Sequence, residues 1–170
     1  MKIRPIVYLD GLMAGVIGAA IIAVWFLFLD TVSGLPFYAP TILGTALFVG
    51  PENLASADPV QVSLRLTLMY TWVHGLVFIV LGEVAAIILL SSGKNFNLGL
   101  SILLLFVVLE IGFVGVTFGF AKPVFYELAW PMVLLGNLLA AAGMGCYLWL
   151  RHPAFAVSSE TRPGIGPEPI

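Results

Sequence analysis

Residues 66–90 read LTLMYTWVHGLVFIVLGEVAAIILL, an apolar run interrupted by one histidine, His74, and one acidic residue, Glu83. A hydrocarbon core about 30 Å thick needs roughly 20 such residues in a helix, and this stretch satisfies that length. Three more stretches do so, at 6–29, 98–120 and 131–150. Lipid offers no partner to backbone N–H and C=O groups, so each stretch is predicted to be α-helical. The expected fold class is an all-α integral membrane protein, a four-helix transmembrane bundle over residues 1–152.

Composition agrees. Hydrophobic residues make up 61% of the chain and charged residues 9%, a balance that would leave large apolar patches on a soluble domain. The net charge of -2 and the absence of any Lys/Arg run exclude a nucleic-acid partner. Cys146 is the single cysteine, which rules out disulfides within the chain, a CxxCH haem attachment and cysteine zinc sites. A haem between helices would have only His74 with Met69, Met132 or Met144 as axial ligands, so neither cofactor nor metal is expected. Lys2 and Arg4 resemble the start of a signal peptide, but the apolar run after them is too long for an h-region and is read as a retained span.

Four spans place Lys2, Arg4, Lys94, Arg151 and Arg162 on one side and only Arg65 and Lys122 on the other. Basic residues gather on the cytoplasmic side, so both termini are expected there. Trp25, Tyr70, Trp72, Tyr126 and Trp130 then mark the outer interface, and Tyr8, Tyr147 and Trp149 the inner one. The first outer loop, residues 30–61, has no basic residue. Within it, residues 40–50, PTILGTALFVG, are apolar but too short to span and predict an interfacial or re-entrant helix, either a plain cover for the bundle or a cap over a site. Gly34 followed by Pro36 marks the end of the first helix, while Asp58, Pro59 and Gln61 form an N-cap signature that predicts the second helix starting about two turns before the membrane. Residues 153–170, with four prolines among Ser, Glu and Gly, read as a disordered cytoplasmic tail.

An ionisable group deep in a span costs about 2.5 to 3.5 kcal/mol on insertion scales, so His74, Glu83 and Glu110 each need a reason. At about 1.5 Å per residue, His74 lies about 13 Å from the outer end, Glu110 about 15 Å and Asn137 about 9 Å, depths at which the three could meet with Thr117 alongside. That constellation reads either as a proton or ion site or as a buried hydrogen bond that fixes helix register. Glu83 lies on the opposite side of its helix from His74, and Gly112, Gly115 and Gly119 lie about 140° to 200° around from Glu110, so one helix bundle cannot turn all of them inward. These residues are expected to face a partner. The function class that follows is an accessory or structural subunit packed against itself or a larger membrane complex; the alternative is a proton-coupled carrier or channel for a small solute. An enzyme is disfavoured, because no serine lies near His74 or His152 in sequence and no catalytic residue is assigned.

Overall fold

The computed structural model describes residues 5–54, 60–91, 98–120 and 130–152. Its elements are α1 (Pro5–Val32), α2 (Tyr38–Phe48), a 3-10 turn at Pro51–Leu54, α3 (Leu64–Ser91), α4 (Leu98–Phe120) and α5 (Trp130–Arg151). α1, α3, α4 and α5 are long and apolar enough to cross a membrane, whereas α2 is a short apolar helix in the first loop. The chain is an all-α integral membrane protein built on a four-helix bundle. The expected tail at 153–170 lies outside the described residues.

Both ends of the first loop are set by local chemistry. At the end of α1 the Leu35 amide donates to the Asp30 carbonyl and the Gly34 amide to the Thr31 carbonyl, with Gly34 at φ 78. That is the paired bonding of a Schellman ending, which places glycine in the left-handed conformation and satisfies carbonyls that a helix end leaves over. The chain then turns back through Phe37, also at positive φ, into α2. Phe37 has no side-chain oxygen with which to cap α2. The Asp30 carboxylate does it instead, accepting the Ala39 amide at 2.8 Å from a buried position. A negative group at a helix N-terminus meets both the free amides and the favourable end of the dipole.

α2 lies on the N-terminal end of α3. Thr41 and Thr67 share a hydrogen bond at 3.2 Å, and Gly44 seats against the Leu66 carbonyl, where a Cβ would come within 2.7 Å of the oxygen. The same contact corrects one expectation. Residues 60–63 are not helical, and α3 starts at Leu64 rather than near Asp58, which itself lies outside the described residues. Ser63 caps it instead: its carbonyl accepts the Thr67 amide at 2.9 Å and its hydroxyl the Leu66 amide at 3.4 Å. The Ser63 amide is held by the Thr41 hydroxyl at 3.2 Å. Docking against α2 has thus overridden the local cap signal upstream, and the expected two-turn projection is absent.

Within the bundle α1 sits between α3 and α5, and α4 packs on α5. The α1–α3 crossing is made by glycines. A Cβ on Gly11 would lie 2.6 Å from the Glu83 Cα, one on Gly15 would overlap the Phe78 carbonyl, and one on Gly82 would overlap the Gly11 carbonyl. The α1–α5 contact places Met144 against Gly18, Ile21 against Gly143 and the Trp25 ring against Gly136. The Trp25 Nε1 donates to the Met132 carbonyl at 2.8 Å. The innermost core gathers Ala14, Phe78, Ala86, Ala140, Ala141 and Met144 around these seams.

Gly15→Ala should therefore destabilise the protein by about 1 to 3 kcal/mol, the cost of overpacking. Gly112→Ala, where an added Cβ meets nothing within 4 Å, should be neutral or stabilise by up to about 1 kcal/mol through helix propensity. Unfolding of the two variants in detergent micelles checks this, and equal losses would refute the α1–α3 contact.

Candidate functional site

Three groups of polar side chains lie within or at the ends of the four long helices, and each is positioned by a different pair. At mid-depth, Asn137 on the buried face of α5 donates through Nδ2 to Glu110 Oε1 on α4 at 2.9 Å. The amide is buried and the carboxyl half-buried. This pairing brings together two of the residues singled out from depth alone. Val133, one turn from Asn137, is buried with Ile42 of α2, and Phe113, one turn from Glu110, packs against the same cluster. The pair therefore sits next to the cluster that α2 of the first loop makes with the bundle.

His74 does not join it. Its Nε2 lies 3.4 Å from the Ala19 carbonyl of α1, and its ring packs against Tyr70 and Phe78, with centroids 5.6 and 4.6 Å away. The polar face of α3 does point inward, but inward for α3 means toward α1. Thr71, on that same face, returns its hydroxyl to the Thr67 carbonyl of its own helix at 2.7 Å. The side chains of Thr117 and Gly119 lie outside the described residues.

The third group was not expected from the sequence. Asp10, on the second turn of α1, is 1% exposed. Arg151 Nε lies 3.2 Å from its Oδ1, and His152 Nε2 lies 2.9 Å from its Oδ2. Both partners stand at the C-terminal end of α5, where the helix dipole also favours positive charge. The membrane-cost argument applied to His74, Glu83 and Glu110 holds equally for Asp10, and matching its depth with the end of the last span would have found the partners.

Glu83 is half-buried, its backbone pressed against Gly11, and its carboxylate has no hydrogen bond or ion pair among the described residues. Arg151 is committed to Asp10, and Lys94 lies outside the described residues. Gly112 and Gly115 border open space. On a wheel of about 100° per residue they continue the face that carries Leu105 and Val108. Those two residues, with Leu104 and Leu109, form one wall of an apolar groove between α4 and α3. Leu81, Val84, Ala85 and Ile88 form the other wall and Met144 the floor. Glu83 points about 150° away from that wall of α3, so Glu83 and the glycines belong to two separate surfaces.

Every buried side-chain nitrogen and oxygen among the described residues already has a hydrogen-bond partner. The polar groups of the bundle interior are thus satisfied within the chain. Chemically, the arrangement offers a carboxyl with an amide donor at mid-depth, a carboxylate held by two bases at one end, and an apolar groove open along its length. No protein family, curated protein or solved structure matches this chain.

The Glu110 and Asn137 pair can be tested by shape. Glu110→Gln keeps an oxygen for the Asn137 amide and should fold like the parent protein. Glu110→Leu strands a buried donor and should lose about 1 to 3 kcal/mol of stability. Chemical denaturation in lipid nanodiscs distinguishes the two, and matched stabilities would mean that the pair contributes nothing.

Proposed function

We propose that this chain is a multi-pass membrane subunit that works packed against another transmembrane chain, either a second copy or part of a larger complex. The observation that carries the reading is the position of α4. Among the described helices it is packed chiefly on α5, leaving Leu104 and Val108 in an apolar groove and Gly112 and Gly115 facing open space. Glycines on a helix face permit close approach of a neighbouring backbone, and that approach is the main source of association between helices in lipid. Nothing within the described chain uses the space beside Gly112 and Gly115. The unpartnered Glu83 adds a second surface at which a neighbour's donor would lower the cost of a carboxylate in the membrane.

The interior supports the same reading. Its buried polar groups are paired among the described residues, and α2 is pinned by Asp30 and by the threonine cluster. A proton-coupled carrier or channel remains the second reading, favoured by the one mid-depth carboxyl with a single amide donor. That reading rests on Glu110 and Asn137 and not on His74, which meets the Ala19 carbonyl of α1 instead. Under either reading both termini are cytoplasmic, the outer loop 30–61 being free of basic residues.

Two measurements test this. In native membranes, Val108→Cys should crosslink to a neighbouring chain, and Gly112→Leu should abolish that capture while leaving unfolding of the detergent-solubilised chain unchanged. A protein that stays monomeric by native mass measurement, with no crosslink at Val108, would overturn the subunit reading. For orientation, cysteines introduced at Asn53 and Ser158 should be labelled from opposite faces of the membrane, Asn53 from outside. Labelling of both from one face would remove the assigned topology.

A further inference from the structure

We propose that Asp10, Arg151 and His152 form a pH-sensitive latch that holds the inner ends of α1 and α5 together. The geometry is that of one carboxylate shared by two unlike bases. Asp10 is 1% exposed, Arg151 reaches Oδ1 at 3.2 Å and His152 reaches Oδ2 at 2.9 Å. Arginine keeps its charge at every pH at which a protein folds, whereas histidine changes charge between about pH 5 and 8. The carboxylate is thus held by one permanent and one conditional cation.

The balance of charges decides the sign. A protonated His152 is attracted to Asp10 at hydrogen-bond distance and repelled by Arg151 from farther away. The Arg151 side chain is 52% exposed, so water screens its repulsion, while the His152 side chain is 23% exposed and the Asp10 side chain 1%. Attraction between the two less exposed groups outweighs the repulsion. Among the described residues, three other titratable groups stand near the cluster. Tyr147 of α5 lies beside the guanidinium, Tyr8 stands two residues from Asp10 on α1, and Glu83 of α3 backs onto Gly11. The first two turns of α4, LGLSILLL, carry no ionisable side chain. Protonating His152 therefore tightens the latch, and deprotonation leaves Asp10 with Arg151 and at most a neutral hydrogen bond.

The part that moves is the last turn of α5. The inner half of α1 is fixed to α3 at Gly11, Gly15 and Gly82, so a weakened latch frees the end of α5 rather than α1. On the orientation proposed above, the latch responds to cytoplasmic pH. It stands independently of the subunit reading, because all three residues that form it belong to one chain.

Spin labels on Leu9→Cys and Leu150→Cys, both at exposed positions, report this distance when Cys146→Ser removes the native thiol. The full chain is measured in phosphatidylcholine nanodiscs, whose headgroups do not titrate between pH 5.5 and 8.0. We expect one narrow distance at pH 5.5 and a longer-distance population that grows about fivefold by pH 8.0, the upper range for a partly exposed ion pair. His152→Gln should show the alkaline distribution at both pH values, and His152→Lys the acidic one at both. Asp10→Asn should show the broad distribution throughout. Distances in the parent protein that do not change with pH, or a pH response that survives in His152→Gln or in Asp10→Asn, would overturn the latch.

Discussion

In lipid, an apolar side chain gains little by leaving the bilayer for a neighbouring helix, because the acyl chains are as apolar as leucine. What holds helices together there is close contact. The crossing of α1 and α3 at Gly11, Gly15 and Gly82 supplies it, with backbones near enough that a single Cβ on any of the three would collide. Everything else in the bundle is arranged around that contact. α1 turns its other side to α5, where Gly18, Gly136 and Gly143 receive Met144, Trp25 and Ile21, and α5 in turn carries α4. Glycine meets glycine at the α1–α3 seam and large side chains at the α1–α5 seam, so the helices interlock without needing a polar pair at every level.

Polar contacts are placed where the apolar seams end. Trp25 bridges α1 to the Met132 carbonyl toward one end of the bundle, and Asp10 bridges α1 to Arg151 and His152 at the other. Asp30 and the threonines of α2 fasten the outer loop. The effect is to lock register at the two ends, where a helix frays, while the middle relies on glycine contact, on the pair of Glu110 and Asn137 and on His74 against the Ala19 carbonyl. This division follows from the medium: near the headgroups a charged side chain can be partly solvated, whereas at mid-depth each one costs several kcal/mol unless it is neutral or paired.

Much of this was legible in the sequence. Apolar length gave the four long helices, Gly34 gave the end of α1, and depth alone brought Glu110 to Asn137. The failures have one origin. A helical wheel ranks the faces of a helix but does not say which neighbour each face meets, and here the consecutive helices α3 and α4 are divided by a groove while α1 takes the inward face of α3. His74 was therefore assigned to Glu110 and found against Ala19. The cap signature at Asp58 failed for a related reason, since its rival at Ser63 is held by Thr41 from a different helix. Asp10 was missed because its partners stand at the other end of the chain, a separation of 141 residues to Arg151.

The place of α1 at the centre has a consequence for how the protein is made. Of the four long helices, α1 is made before α3 and α5, the two that assemble on it, so α3 can dock as soon as it is inserted. α4 is synthesised before α5, yet α5 is the helix on which it is chiefly packed. Between the insertion of α4 and the arrival of α5 there is an interval in which α4 lies in the bilayer without its principal neighbour, its Glu110 still lacking Asn137. The nascent chain is most exposed to mispairing, and to whatever factors attend unfinished membrane proteins, during that interval.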